Sequence, residues 1–215
     1  MAVFPDPDSM LARWAAFAGV VTALGHPELA HVITGSRLRR RPAVAVLDDG
    51  HGQTVWWSVL RRDGRHLLWG ADRRHDDRSR VFADPELAEL ATVVEALVGT
   101  RACSFAFVQT GDEWVTVGDT QPRWPPSLSF LSDDAAAVAE TVGWVERVAA
   151  AAGHAEPDDL TEQVEIWTID VGRGRATSDV LRRVLGPLSS PDRVAAGIAT
   201  VVSFDRARAE LTPGV

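Results

Sequence analysis

Three β-prone runs, Ala43–Leu47, Gln53–Arg61 and Arg65–Gly70, are divided by Asp48-Asp49-Gly50 and Asp63-Gly64. Asp-Gly supplies the positive backbone angles of a tight hairpin turn, so this punctuation predicts consecutive antiparallel strands, a β-meander. In the middle run Val55, Trp57 and Val59 alternate with Thr54, Trp56, Ser58 and Leu60, placing apolar bulk on both faces. A strand of that kind belongs in the interior of a sheet. A second hairpin is expected from Arg101–Gln109 and Glu113–Val117, turned by Thr110-Gly111-Asp112.

Helices flank these strands. The first is expected from about Ser9 to Leu24, capped by Asp8 or Ser9 and closed by Gly25, with Met10, Trp14, Phe17, Val21 and Leu24 on one face. A short helix over Glu28–Leu38 follows the His26-Pro27 break. Asp84-Pro85-Glu86 is a cap, a first-turn proline and an early acid, and predicts a helix running to Gly99. Gln121–Leu131, with its prolines and Trp124, reads as an irregular connection. Ser132-Asp133-Asp134 starts a helix with Val138, Val142, Val145 and Ala149 on its stripe and Gly153 as terminator. Beyond it a strand over Val164–Asp170, a helix over Ser178–Leu185 and a further helix from Ser190-Pro191-Asp192 are expected. Gly172-Arg173-Gly174-Arg175 lacks the third glycine of a dinucleotide fingerprint and reads as a turn.

The fold class is therefore α+β: an antiparallel sheet, a meander plus a second hairpin, packed against helices in the order α-βββ-α-ββ-α with a C-terminal β-α-α extension. At 215 residues one main core is the default, with residues 1–155 as the core domain and 156–215 as an extension packed on it. Antiparallel strands followed by one long helix recur over 43–98 and 102–152, as an architecture rather than as shared side chains. The element order resembles that of secretion-chaperone-like folds, in which helices on an antiparallel sheet present a face to another protein.

Composition removes many chemistries. All 22 basic residues are arginine. Without lysine there is no phosphate-loop lysine, kinase strand lysine, Schiff base or Ser-Lys dyad. The absence of lysine, asparagine and tyrosine together points to a GC-rich, bacterial genome. A lone cysteine, Cys103, builds neither a disulfide nor a thiolate zinc site and fits a reducing cytoplasm. No run nears the roughly 20 apolar residues of a membrane span, and the first residues lack a signal-peptide pattern. No cofactor is expected. Asp48, Asp49 and Asp72 could meet around Mg²⁺ at one end of the meander, but Asp48 and Asp49 are better explained as turn formers, and no metal site is assigned.

Charge is uneven. Net charge is -2 over residues 1–34, +5 over 35–80, -14 over 81–172 and +3 over 173–215. Neutralisation across the fold is the plain explanation, and an acidic surface meeting a basic partner protein is the functional one. Arginines near Trp56, Trp57 and Trp69 have the makings of a single-strand nucleic-acid surface, but a whole-chain charge of -8 argues against it.

Two readings of function follow. The first is a non-enzymatic module that binds a cognate protein, a chaperone or an immunity-type inhibitor, with Trp124 and Trp144 as an aromatic anchor for that partner or for a second copy in a homodimer. The alternative is a small hydrolase or transferase built on Asp72-Arg73-Arg74-His75-Asp76-Asp77-Arg78. There His75 is the general base, Asp72, Asp76 or Asp77 orients it, and Arg73, Arg74 and Arg78 hold an anionic small molecule. His66 is the one other histidine to pair with His75.

Overall fold

The computed structural model describes residues 5–33, 43–48, 53–59, 66–72, 105–110, 113–116, 126–155 and 157–211. Among these, six strands form one sheet in the order β1-β2-β3-β4-β5-β6, every neighbouring pair antiparallel. They are β1 (Ala30–Ile33), β2 (Val44–Asp48), β3 (Gln53–Val59), β4 (His66–Asp72), β5 (Phe105–Thr110) and β6 (Glu113–Thr116). Five α-helices accompany them: α1 (Pro7–Ala23), α2 (Asp134–Ala151), α3 (Leu160–Gly172), α4 (Ser178–Leu185) and α5 (Pro191–Leu211). The α+β class and the antiparallel sheet are as the sequence predicts.

Strand order follows chain order because each pairing joins strands that are consecutive in sequence. The register pairs Ala45 with Trp57, Trp57 with Leu68, and Leu68 with Phe107. These residues share one face and, with Leu47, Val55 and Trp114, enter the core shared with the helices. On the opposite face Val44, Val46, Leu67, Trp69, Ala106 and Val108 are also buried. Interior strands buried on both sides require apolar residues at successive positions, which β2 and β4 supply. Gly70 in β4 lies under the Phe105 ring of β5. A Cβ there would collide with that ring and come within 2.8 Å of the Thr54 carbonyl oxygen.

Helix α1 is the hub of the helical layer. Asp6 caps it, its carboxylate accepting from the Ser9 N–H at 2.9 Å, and Pro7 occupies the first turn. The helix thus starts slightly earlier than expected. Gly25, at φ +99, closes it. Eleven of its 17 residues are buried, so the predicted stripe is only part of the buried surface. Helices α2, α3, α4 and α5 and strand β1 all pack on it. An almost uncharged helix rich in alanine can be covered from every side at little desolvation cost. Gly19 and Gly197 let α5 approach closely: a Cβ on Gly197 would lie 2.6 Å from the Gly19 carbonyl oxygen. Trp167 of α3 donates from its indole N–H to the Ala16 carbonyl at 2.9 Å. Trp14 of α1 reaches the sheet, donating to the Val46 carbonyl at 3.3 Å.

Two elements change type. Residues 164–170, expected as a strand, lie within α3, so the C-terminal extension is three helices rather than β-α-α. Leu160, Val164, Trp167, Thr168 and Val171 are its buried residues, and their spacing of three and four is helical. The helix expected over 28–38 is instead strand β1 at Ala30–Ile33, where pairing with β2 satisfies the backbone. The turn reading of Gly172–Arg175 fits a helix terminus. Arg175 N–H bonds the Asp170 carbonyl and Gly174 N–H the Val171 carbonyl, with Gly174 at φ +67, a Schellman closure of α3. The expected helix over 84–99, and with it the comparison of 43–98 with 102–152, lies outside the described residues.

Candidate functional site

The catalytic reading depends on the polar segment 72–80 that follows β4 in sequence. Strand β4 ends at Asp72, so the polar segment begins where a strand ends. Arg73, Arg74, His75, Asp76, Asp77 and Arg78 lie outside the described residues, as does Trp124. His66 opens β4, about 20 Å of extended chain from Asp72. It is held among aromatic rings: Trp57 donates its indole N–H to His66 Nδ1 at 3.3 Å, and the Trp57 and Trp114 rings sit 5.7 and 6.5 Å away, centroid to centroid. Burial pushes the His66 pKa down, with the Asp8 carboxylate pulling weakly the other way. That half-buried imidazole accepts at Nδ1 among the rings.

His31, expected on a helix, projects from β1. Burial lowers its pKa too, opposed by the Glu28 carbonyl and by Asp48. Among the described residues no group bonds its buried Nδ1. Asp48 ends β2 and accepts from the Thr54 hydroxyl at 3.2 Å. Asp48 and Asp72 come to the same end of the sheet, since Asp48 pairs with Thr54 and Asp72 with Gln53. Among the described residues no three His, Cys, Asp or Glu side chains gather as a metal site would need.

Trp144 stands half-buried on α2, beside the buried stripe of Val138, Thr141, Val145 and Ala149. Arg147 lies over its ring, guanidinium carbon 4.6 Å from the centroid, and the His26 ring meets it at 5.7 Å. Glu28 in turn holds His26 Nδ1 at 3.3 Å, and Glu140 stands 3.8 Å from Arg147. The ring is therefore flanked by the Arg147 guanidinium and the His26 ring at the rim of the core.

The surface that stands apart is the hairpin of α2 and α3. Asp133 caps α2, accepting from the Ala136 N–H at 2.8 Å and from the Ser132 hydroxyl at 3.0 Å. The backbone bond to Ala136, foremost, holds this carboxyl below the usual range. Asp159, at the start of α3, has φ +53, a left-handed conformation that short polar side chains tolerate. The hairpin exposes Glu140, Glu146, Asp158, Asp159, Glu162 and Glu165. Three of its acids have arginine partners: Asp134 with Arg13 at 2.7 Å, Asp170 with Arg175 at 2.9 Å, and Glu140 with Arg147. Among the described residues Glu146, Asp158, Asp159, Glu162 and Glu165 form no ion pair. Arg147 is the hairpin's one arginine. Among the described residues, the α2–α3 part of the acidic middle thus presents outward carboxylates without ion-pair partners. Reading 164–170 as a strand hid this arrangement; the helical spacing of Leu160, Val164, Trp167 and Val171 was the signal that could have found it.

No protein-family model, curated protein or solved structure matches this chain. Among the described residues no helix is long and apolar enough to cross a membrane.

Proposed function

We propose that the chain is a non-enzymatic protein-binding module, a chaperone or immunity-type inhibitor, that receives a basic cognate partner on the α2–α3 hairpin. The observation that carries this reading is the set of five exposed carboxylates there without a cationic partner among the described residues. Solvated charges of one sign add little to fold stability, and they raise encounter rates with an oppositely charged partner and disfavour others. The lone Cys103 supports a reducing, cytoplasmic setting. A second copy would have to meet this surface with its own arginines.

The test is affinity capture with the full chain from its native host at low and high salt, beside a variant carrying Glu146→Gln, Glu162→Gln and Glu165→Gln. The proposal expects a basic protein that is retained at low salt, released by high salt and depleted with the variant. Equal recovery on the variant, or none under any condition, rejects it. Migration of the purified chain as a dimer that the variant dissolves would make a second copy the occupant and overturn the cognate-partner assignment.

A further inference from the structure

A cleft of about 340 Å³ opens where the first turns of α1 and α2 meet the last turn of α3 and the C-terminal half of α5. Its charged lining is three arginines, Arg13, Arg173 and Arg208, against two acids, Asp8 and Asp134. Arg13 is 12% exposed and fixed, its Nε on Asp134 at 2.7 Å and its Nη1 on the Leu131 carbonyl at 2.8 Å. Arg208 faces Asp8 at 3.7 Å. Arg208 also acts on Asp205, and among the described residues Arg173 is the lining arginine with no ion pair. The N-terminal ends of α1 and α2 lie at the same opening, each already capped by its own carboxylate, Asp6 and Asp133. The C-terminal end of α3 reaches the same opening, its Asp170 and Val171 carbonyls bonded in the Schellman closure, so the arginines hold an anion against the negative end of that helix. Ile169, 47% exposed, supplies an apolar wall to this polar mouth.

We propose that this cleft binds a small organic oxyanion, its charged head on Arg173 and the uncommitted Nη2 of Arg13, and its short apolar part against Ile169. The volume is at the low end of ligand pockets, which limits the ligand to about amino-acid size. One unmatched guanidinium suits a single negative charge, and the planar N–H fork suits carboxylate or phosphate equally. This site is separate from the exposed carboxylates of the hairpin, and its fate does not depend on them.

The test is an amide NMR titration of the full chain with sodium butyrate and, separately, with inorganic phosphate, against sodium chloride at matched ionic strength. Saturable shifts at Ile169, Gly172 and Arg173 are expected with at least one oxyanion and not with chloride. Losing one charged hydrogen-bond donor should weaken that binding roughly tenfold in Arg173→Gln. Arg182→Gln, on α4, should leave it unchanged. Arg173 is exposed, so its substitution leaves the core intact. Saturation with butyrate alone or phosphate alone identifies the head group and sustains the proposal. No saturation with either, equal shifts with chloride, or undiminished binding in Arg173→Gln overturns it.

Discussion

The α2–α3 hairpin and the α4–α5 pair both lie against α1, and they reach it with different side chains. From the hairpin Trp167, fully buried, fills the space and donates to the Ala16 carbonyl. From the pair Gly197 removes the side chain altogether and brings α5 onto Gly19. Outward, the contrast is electrostatic. The hairpin shows carboxylates with Arg147 as its one arginine, whereas residues 173–208 carry seven arginines and three acids. Among the described residues one ion pair, Asp170 with Arg175, links the two regions. Among the described residues, opposite charge in sequence therefore brings little neutralisation between these two regions: both turn apolar residues inward.

The inward half of this comparison has the largest consequences. Trp167→Ala removes a fully buried ring and should cost about 4 kcal/mol in urea denaturation. A loss under about 1 kcal/mol would mean that the hairpin is not anchored through this ring. Glycine separates the regions in sign. At Gly197 a Cβ meets backbone, 2.6 Å from the Gly19 oxygen, and also Leu181 at 2.7 Å. Overpacking of about 1–3 kcal/mol then exceeds the gain of about 1 kcal/mol in helix propensity, so Gly197→Ala should lower the melting temperature. At Gly143, in the hairpin, the nearest atom to a Cβ is the mobile Arg147 Nη1 at 3.3 Å, so the same change should raise it. Matching signs in calorimetry would erase the distinction between a close-packed interface and an open helix face.

Acid titration draws a finer line. Asp133 in the hairpin is held below the usual carboxylate pKa by bonds to its charged form, while burial pushes Asp205 of α5 up against the opposing pull of Arg208. The folded state therefore binds the Asp133 proton less tightly than the unfolded chain does. Its contribution is present above the ordinary value near 3.9 and fades as pH falls through the depressed one. Asp205 has the opposite slope: the folded state holds its proton more tightly, and the stability from this group, present below the ordinary value, declines as pH rises from there through the raised one. Carboxyl carbon shifts followed against pH should place the Asp133 midpoint below that of Asp205. The reverse order would refute both assignments.

The parts of this architecture legible in the sequence are those in which local pattern and tertiary environment agree. Val55 and Trp57 alternate as an interior strand demands, Asp133 stands where α2 begins, and α4 spans the expected Ser178–Leu185. The misreadings fall where they conflict. Val164, Ile166, Ile169 and Val171 favour a strand by residue type, yet the buried residues of α3 recur at helical spacing and tertiary packing decides. Glu28, Leu29 and Ala30 favour a helix, but Ala30–Ile33 lies beside an edge of β2 that needs hydrogen bonds. The unpaired surface was harder to read. Counting acids gave its charge, but whether arginines from 35–80 or 173–215 would meet it depends on placements in space that no spacing encodes.

The outward half of the comparison predicts the smallest change in stability and the clearest change in association. Glu162 sits in the first turn of α3, where the helix dipole favours an anion by about 0.3–1 kcal/mol. Glu146 and Glu165 are exposed among like charges, and neutralising them relieves a comparable repulsion. Combined, Glu146→Gln, Glu162→Gln and Glu165→Gln should therefore shift unfolding free energy by less than about 0.5 kcal/mol. The same triple change should slow association with the captured basic partner and flatten its salt dependence, because exposed charges act within a Debye length of about 8 Å at physiological salt. Arg182→Gln with Arg183→Gln, the matching change on the α4–α5 pair, should do neither. If the arginine variant slows association as much as the glutamate variant does, the two regions act as one mixed surface, and charge segregation is not what selects the partner.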